Sequence, residues 1–150
     1  MPAFLIAAVV MAAGAATLWF WPFHQIADMD RSPVRWPDPQ LLISADRGSG
    51  LVLVRTAYTI AAEKEQQFLQ AMARLRQSRL RTGATGWGLY QDGQDPRLFI
   101  ELFGVPSWEE HLRQHRERQT GTDLQYHDAA AALSDPPPQT DHYLAADVHQ

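Results

Sequence analysis

Residues 3–21, AFLIAAVVMAAGAATLWFW, carry no charged side chain, and this run constrains the chain more than any other feature. With Pro22 and Phe23 it is long enough, at roughly 1.5 Å per residue, to cross a hydrocarbon layer of about 30 Å. A secretory signal peptide needs a basic start and a shorter apolar stretch before a cleavage site, and MPAF supplies no Lys or Arg. Trp19, Phe20, Trp21 and Phe23 gather at one end, where a belt at the headgroup level belongs. The run therefore predicts a transmembrane helix over residues 1–23. Arg31 and Arg35 follow it while its N-terminal flank has no basic residue, which predicts a single span with a cytoplasmic C-terminal domain.

Small residues recur along this span at Ala8, Ala12 and Ala16, beside Ala13 and Gly14. Helices in lipid associate through such close-packing stripes, so contact with other helices is one expectation and generic alanine richness the other. Every charged side chain lies after residue 27. The net charge of −4 argues against a nucleic-acid partner for the domain as a whole, while the apolar span makes membrane lipid an expected partner. The absence of cysteine agrees with a reducing compartment.

Residues 24–50 read as a linker: Pro33, Pro37 and Pro39 interrupt any helix, and Gly48-Ser49-Gly50 ends the stretch. One short docked segment is expected around Leu41–Ile43. From Leu51 the pattern becomes regular. Val52, Val54, Thr56, Tyr58 and Ile60 alternate along one strand face. Phe68, Met72, Leu75 and Arg79 then form the stripe of a helix that Gly83 stops. The turn at Asp92-Gly93 pairs a strand over residues 85–91 with another over 97–104. Ser107 is an N-cap for a helix from Trp108 to about Gln119, with Glu110 in the capping-box position. A second helix over residues 123–133 precedes SDPPPQ, and TDHYLAADV is a candidate last strand. This order predicts an α+β chain: one N-terminal transmembrane helix, then a ferredoxin-like domain over residues 51–147.

The candidate chemistry is sparse. His111 and His115 share a helix face at i and i+4, as two-histidine metal sites require, but HExxH is absent and a third ligand would have to come from Glu101, His127 or His142. Neither a metal nor a cofactor site is expected. Arg74, Arg76, Arg79 and Arg81 suit the C-terminal end of their helix, or else anionic headgroups. Trp87 and Leu89 fall on one side of their strand, Gly88 and Tyr90 on the other, so one set faces away from the helices. No nucleophile elbow, phosphate loop or dinucleotide fingerprint occurs.

The segments LVLVRTAYTI, FLQAMARLRQSRLRTGATGWGLYQD, PRLFIELFGVPSWEEHLRQHRER and DHYLAAD resemble the C-terminal cytoplasmic domain of major facilitator superfamily transporters of the transmembrane secretion effector type. That domain is similar in turn to antibiotic biosynthesis monooxygenase domains, which are dimeric ferredoxin-like barrels. The resemblance implies the tail of an inner-membrane efflux transporter: its last helix, a linker and an appended domain, with Met1 an internal start or the gene truncated. A single span cannot transport by itself, since such carriers arrange many spans around a midplane site. The resemblance places Glu101 and His115 at recurrent acidic-strand and helix-histidine positions, a pattern that defines fold more than catalysis. It implies a homodimerisation or regulatory role without catalysis. The alternative is a membrane-tethered monooxygenase-like enzyme or ligand-sensing module using His111, His115, Trp87 and Tyr90. That alternative requires a ligand-sized pocket with converging polar groups, whereas dimerisation requires the same space to be filled by side chains.

Overall fold

The structure is a computed structural model that describes residues 29–41 and 50–146. Among these residues no helix is long and apolar enough to cross a membrane; the expected span over 1–23 lies outside them, as do Ile43 and the end of the predicted last strand.

The elements are β1 (Val52–Thr59), a short 3₁₀ turn (Ala62–Lys64), α1 (Glu65–Thr82), β2 (Gly86–Gln91), β3 (Leu98–Val105), α2 (Trp108–Arg113), a π-helical turn (Gln114–Arg118), α3 (Gly121–Ala131) and β4 (Gln139–Leu144). The strands form one antiparallel sheet in the order β2-β3-β1-β4. This is the predicted ferredoxin-like α+β architecture.

Alternation along the strands decides which face is covered. Val52, Val54, Thr56 and Tyr58 are buried on β1, opposite Val105, Phe103, Glu101 and Phe99 on β3. Trp87 and Leu89 share this inner face through their pairing with Phe103 and Glu101. The stripe on α1 meets it with Phe68, Met72, Leu75 and Arg79, all buried. Gly83 ends α1 at φ 124°, a conformation that residues with a Cβ rarely adopt.

Two apolar clusters result. Tyr58, Ile60, Phe68, Met72, Leu75 and Phe99 fill one half of the interior, and Val52, Val54, Phe103, Val105 and Trp108 the other. Between them the register places Glu101 opposite Thr56, and Thr56 opposite Thr140, so a polar row crosses the centre of the sheet.

The helix predicted from Trp108 to about Gln119 is interrupted. Ser107 caps it as expected, its hydroxyl accepting from the Glu110 amide at 3.2 Å. The Glu110 carboxylate, however, binds Arg113 and Arg118. The α geometry then widens into the π turn, and the chain leaves in an extended conformation at Gln119. The next helix starts earlier than predicted, because Thr120 and Asp123 form a reciprocal capping box.

The docked part of the linker also differs from expectation. Residues 32–38 lie along the π turn and the start of α3. The amide of Val34 donates to the Gln119 carbonyl at 3.0 Å, that of Trp36 to the His115 carbonyl at 2.9 Å, and that of Gly121 to the Ser32 carbonyl at 3.0 Å. Helix ends leave carbonyls and amides without intrahelical partners, and this strap satisfies both kinds at one junction. Leu41, the one described residue of the expected docking segment Leu41–Ile43 beyond the strap, packs against the Val52 cluster.

Candidate functional site

Glu101 sits at the middle of β3 with its side chain fully buried. Arg79 reaches it from α1, with Nε donating to Oε1 at 3.0 Å and Nη2 to Oε2 at 3.3 Å. Trp87 Nε1 donates to Oε1 at 2.9 Å and the Tyr58 hydroxyl to Oε2 at 3.2 Å. Burial alone would push this carboxyl up; the Arg79 charge and these hydrogen bonds outweigh it, and Glu101 sits below its ordinary value. Arg79 is likewise held charged: burial works against the guanidinium, and Glu101 reverses the effect. Its guanidinium also lies 4.6 Å from the centre of the Phe103 ring. Every oxygen of the carboxylate is thus engaged by protein groups, which gives the centre of the domain the character of a cross-link between α1 and the sheet.

The second polar group is a stack of rings. His142 on β4 lies 4.9 Å from His111, and His111 lies 4.7 Å from His115, centroid to centroid. Trp36 of the strap continues the stack, 5.7 Å from His115 and 4.7 Å from His127 of α3. Trp108 closes the inner end against His111 and His142. His111 Nδ1 faces the Gln114 side-chain oxygen at 3.2 Å, and His115 Nδ1 faces the Pro37 carbonyl at 2.9 Å. Both acceptors are carbonyl-type oxygens, so each Nδ1 donates and each Nε2 carries the lone pair. His111 Nε2 is buried without a hydrogen-bond partner.

These rings are neutral near pH 7. Burial pushes His111 down to about 3, assisted by the neighbouring His115. Burial likewise lowers His115, His127 and His142. Among the described residues no group of three His, Asp or Glu side chains is arranged to hold a metal ion.

The four residues named as site candidates from sequence do not share one cavity. Trp87 faces the helices and is spent on Glu101. Tyr90 is on the opposite face of β2, 58% exposed, with its ring lying over Gly88. His111 and His115 belong to the stack, which meets the sheet at β4, the edge strand opposite β2. Of the additional contributors, His127 and His142 join the stack and Glu101 is committed to Arg79. Trp36, which links His115 to His127, was not legible as a site residue: an aromatic between prolines in a linker gives no periodic signal. The arginine cluster is largely structural, with Arg79 on Glu101, Arg81 on Asp123 and Arg76 6.0 Å from the Trp87 ring.

The sheet, its register and the helices on one face define the class: a ferredoxin-like α+β domain. Solved structures with this fold include a conserved protein from Methanosarcina mazei (15% identity, TM-score 0.58, covering 67% of this chain and 97% of the other). A candidate antibiotic biosynthesis monooxygenase from Bordetella bronchiseptica is similar at 17% identity and TM-score 0.56, over 65% and 99% of the two chains. SnoaB, a cofactor-independent oxygenase from Streptomyces nogalater, is similar at 15% identity and TM-score 0.56, over 67% and 98%. At such identities the likeness is one of fold. The chain belongs to the transmembrane secretion effector family, which matches it over residues 1–150. No curated protein is significantly similar to it.

Proposed function

We propose that the chain is a membrane-anchored cytoplasmic domain of an efflux transporter of the major facilitator type, and that it serves as a non-catalytic pairing module rather than an enzyme. The family match supports the transporter context. The observation that carries the pairing role is the contrast between the two faces of the sheet. The inner face is filled by Phe68, Met72, Phe99 and Phe103 and by the saturated Glu101 centre. The outer face carries Leu53, Ile100, Leu102, Tyr90 and Tyr143, of which Leu53, Tyr90 and Tyr143 are exposed. An apolar sheet face left in water is unfavourable by about 25 cal/mol per Å², and a second copy with the same face removes it symmetrically. The Arg55–Asp141 ion pair at 2.7 Å stands beside these residues and ties β1 to β4 on the same face.

The span over residues 1–23 then places the paired domains under the membrane, where they hold two transporter chains, or two pieces of one, in a fixed arrangement. Native mass spectrometry of the full chain released from detergent tests this. The expected species is two copies without a retained small molecule; a single copy, or a copy carrying a stoichiometric ligand, contradicts the proposal.

A further inference from the structure

The strap and the histidine stack share atoms, and this connection is independent of how the sheets pair. Residues 32–38 are held by three backbone hydrogen bonds, by the bond between His115 Nδ1 and the Pro37 carbonyl, by an exposed Arg116–Asp38 ion pair at 2.5 Å, and by Trp36 between His115 and His127. An exposed ion pair contributes at most about 1 kcal/mol. Beside the three backbone hydrogen bonds, the side-chain part of the attachment therefore rests largely on two titratable rings.

We propose that the strap is a proton-operated latch: when His115 and His127 take up protons, residues 32–38 lift away from the domain while the sheet and its core stay folded.

The surroundings of the two rings leave a proton poorly compensated. His115 faces His111 on its own helix, His142 on β4, His127 on α3 and Arg79 on α1. Its nearby carboxylate, Asp38, is already bound by Arg116. His127 also feels Arg79; Asp128 lies beside it at 3.3 Å, and Glu101 is committed to Arg79, Trp87 and Tyr58. On β4, Asp141 beside His142 is bound to Arg55, and the strap itself brings Arg35 next to Trp36. Two adjacent imidazolium ions would thus meet other cations or would-be cations from three elements, with Asp38 and Glu101 already paired. The Pro37 carbonyl at His115 and Asp128 at His127 offset part of the cost, and burial outweighs them at both rings, so water supplies the remaining compensation. His111 is covered by Trp108 and stays inside, whereas His115 and His127 are covered by Trp36, whose segment bonds through its backbone to the helix junction. Lifting the strap hydrates those two rings without opening the sheet. That burial holds both rings below the ordinary histidine range agrees with this order of events.

Hydrogen–deuterium exchange on the full chain in detergent, corrected for the intrinsic pH dependence of exchange, tests the latch. Between pH 7.5 and 5.0 the amides of Val34 and Trp36 should lose at least tenfold protection while those of β1 and β3 keep theirs. In the double variant His115→Asn/His127→Phe, which retains a donor for Pro37 and an aromatic beside Trp36, the strap should stay protected at both pH values. Nuclear magnetic resonance titration of the wild-type imidazoles supplies a readout that needs no variant: the midpoints of His115 and His127 should coincide with strap release. Strap amides equally protected at both pH values would overturn the proposal. So would loss of protection in β1 and β3 together with the strap, or a variant that responds to pH like the wild type.

Discussion

Arg79 and Glu101, from α1 and β3, meet at 3.0 Å in the interior with side-chain exposures of 10% and 0%. Two opposite charges removed from water are each costly to desolvate, and their mutual attraction offsets that cost only while both are present. The pair is a point where helix and sheet cannot separate without exposing an unpaired charge to a low-dielectric interior.

Removing one partner should therefore destabilise far more than removing both. Glu101→Leu or Arg79→Met is expected to lower stability by about 3–5 kcal/mol, and the double substitution to recover most of that loss. Thermal and denaturant unfolding of the full chain checks this; losses that simply add would show that the two residues act independently.

Stability should fall on acidification, because the unfolded chain takes up protons that the folded chain refuses. An unfolded histidine titrates near 6.5, whereas His111 in the fold titrates at about 3. Its depressed value gives stability that is complete above pH 6.5 and lost progressively as pH falls toward 3. The slope reaches about 1.4 kcal/mol per pH unit for each such buried ring. His111→Phe should flatten the dependence in unfolding experiments between pH 7 and pH 4; an unchanged slope would show that His111 does not cause it.

Trp36 should anchor the strap through its ring. Trp36→Ala removes a half-buried aromatic and is expected to cost about 1–2 kcal/mol, less than the full cavity cost of a completely buried tryptophan. The measurement is amide exchange of residues 32–38 at pH 7.5, where protection at Val34 should drop while that of β3 is retained.

Gly88 should govern how Tyr90 lies. A Cβ at this position would meet the Tyr90 hydroxyl oxygen at 2.6 Å and its ring carbons at 2.7 and 2.8 Å, so Gly88→Ala forces the ring off the strand. The cost to folding is expected to stay below about 1 kcal/mol because an exposed side chain can turn away. Pairing should weaken, since the displaced ring disturbs the outer face; unchanged two-copy affinity by light scattering would place Tyr90 outside the interface.

Much of this architecture was legible because burial imposes a period. The alternation from Val52 to Ile60 and the stripe from Phe68 to Arg79 each reported one covered face, and both faces meet in the interior. The alternatives left open for Trp87 and Tyr90 were resolved by which face of the sheet the helices cover, a property of the whole chain that local spacing cannot encode. The π turn at Gln114–Arg118 was not legible, since its residues suit an ordinary helix and the widening accompanies carbonyls that bond to a strap far away in sequence. Of the histidine stack, the i and i+4 pair was legible and His127 and His142 were possible contributors, with no local signal that they converge. His142 and His127 enter through β4 and α3, and Trp36 through a proline-rich stretch whose docking depends on unsatisfied helix ends.

Pairing of two copies through the outer sheet face is tested by the mass of the full chain in detergent, by light scattering corrected for detergent, with Leu53→Asp and Ile100→Asp introduced together on neighbouring strands of that face. The wild-type chain should have the mass of two copies and the variant that of one, with β1 and β3 amides still protected. A variant that remains paired with its fold intact would contradict the claim and move the interface elsewhere.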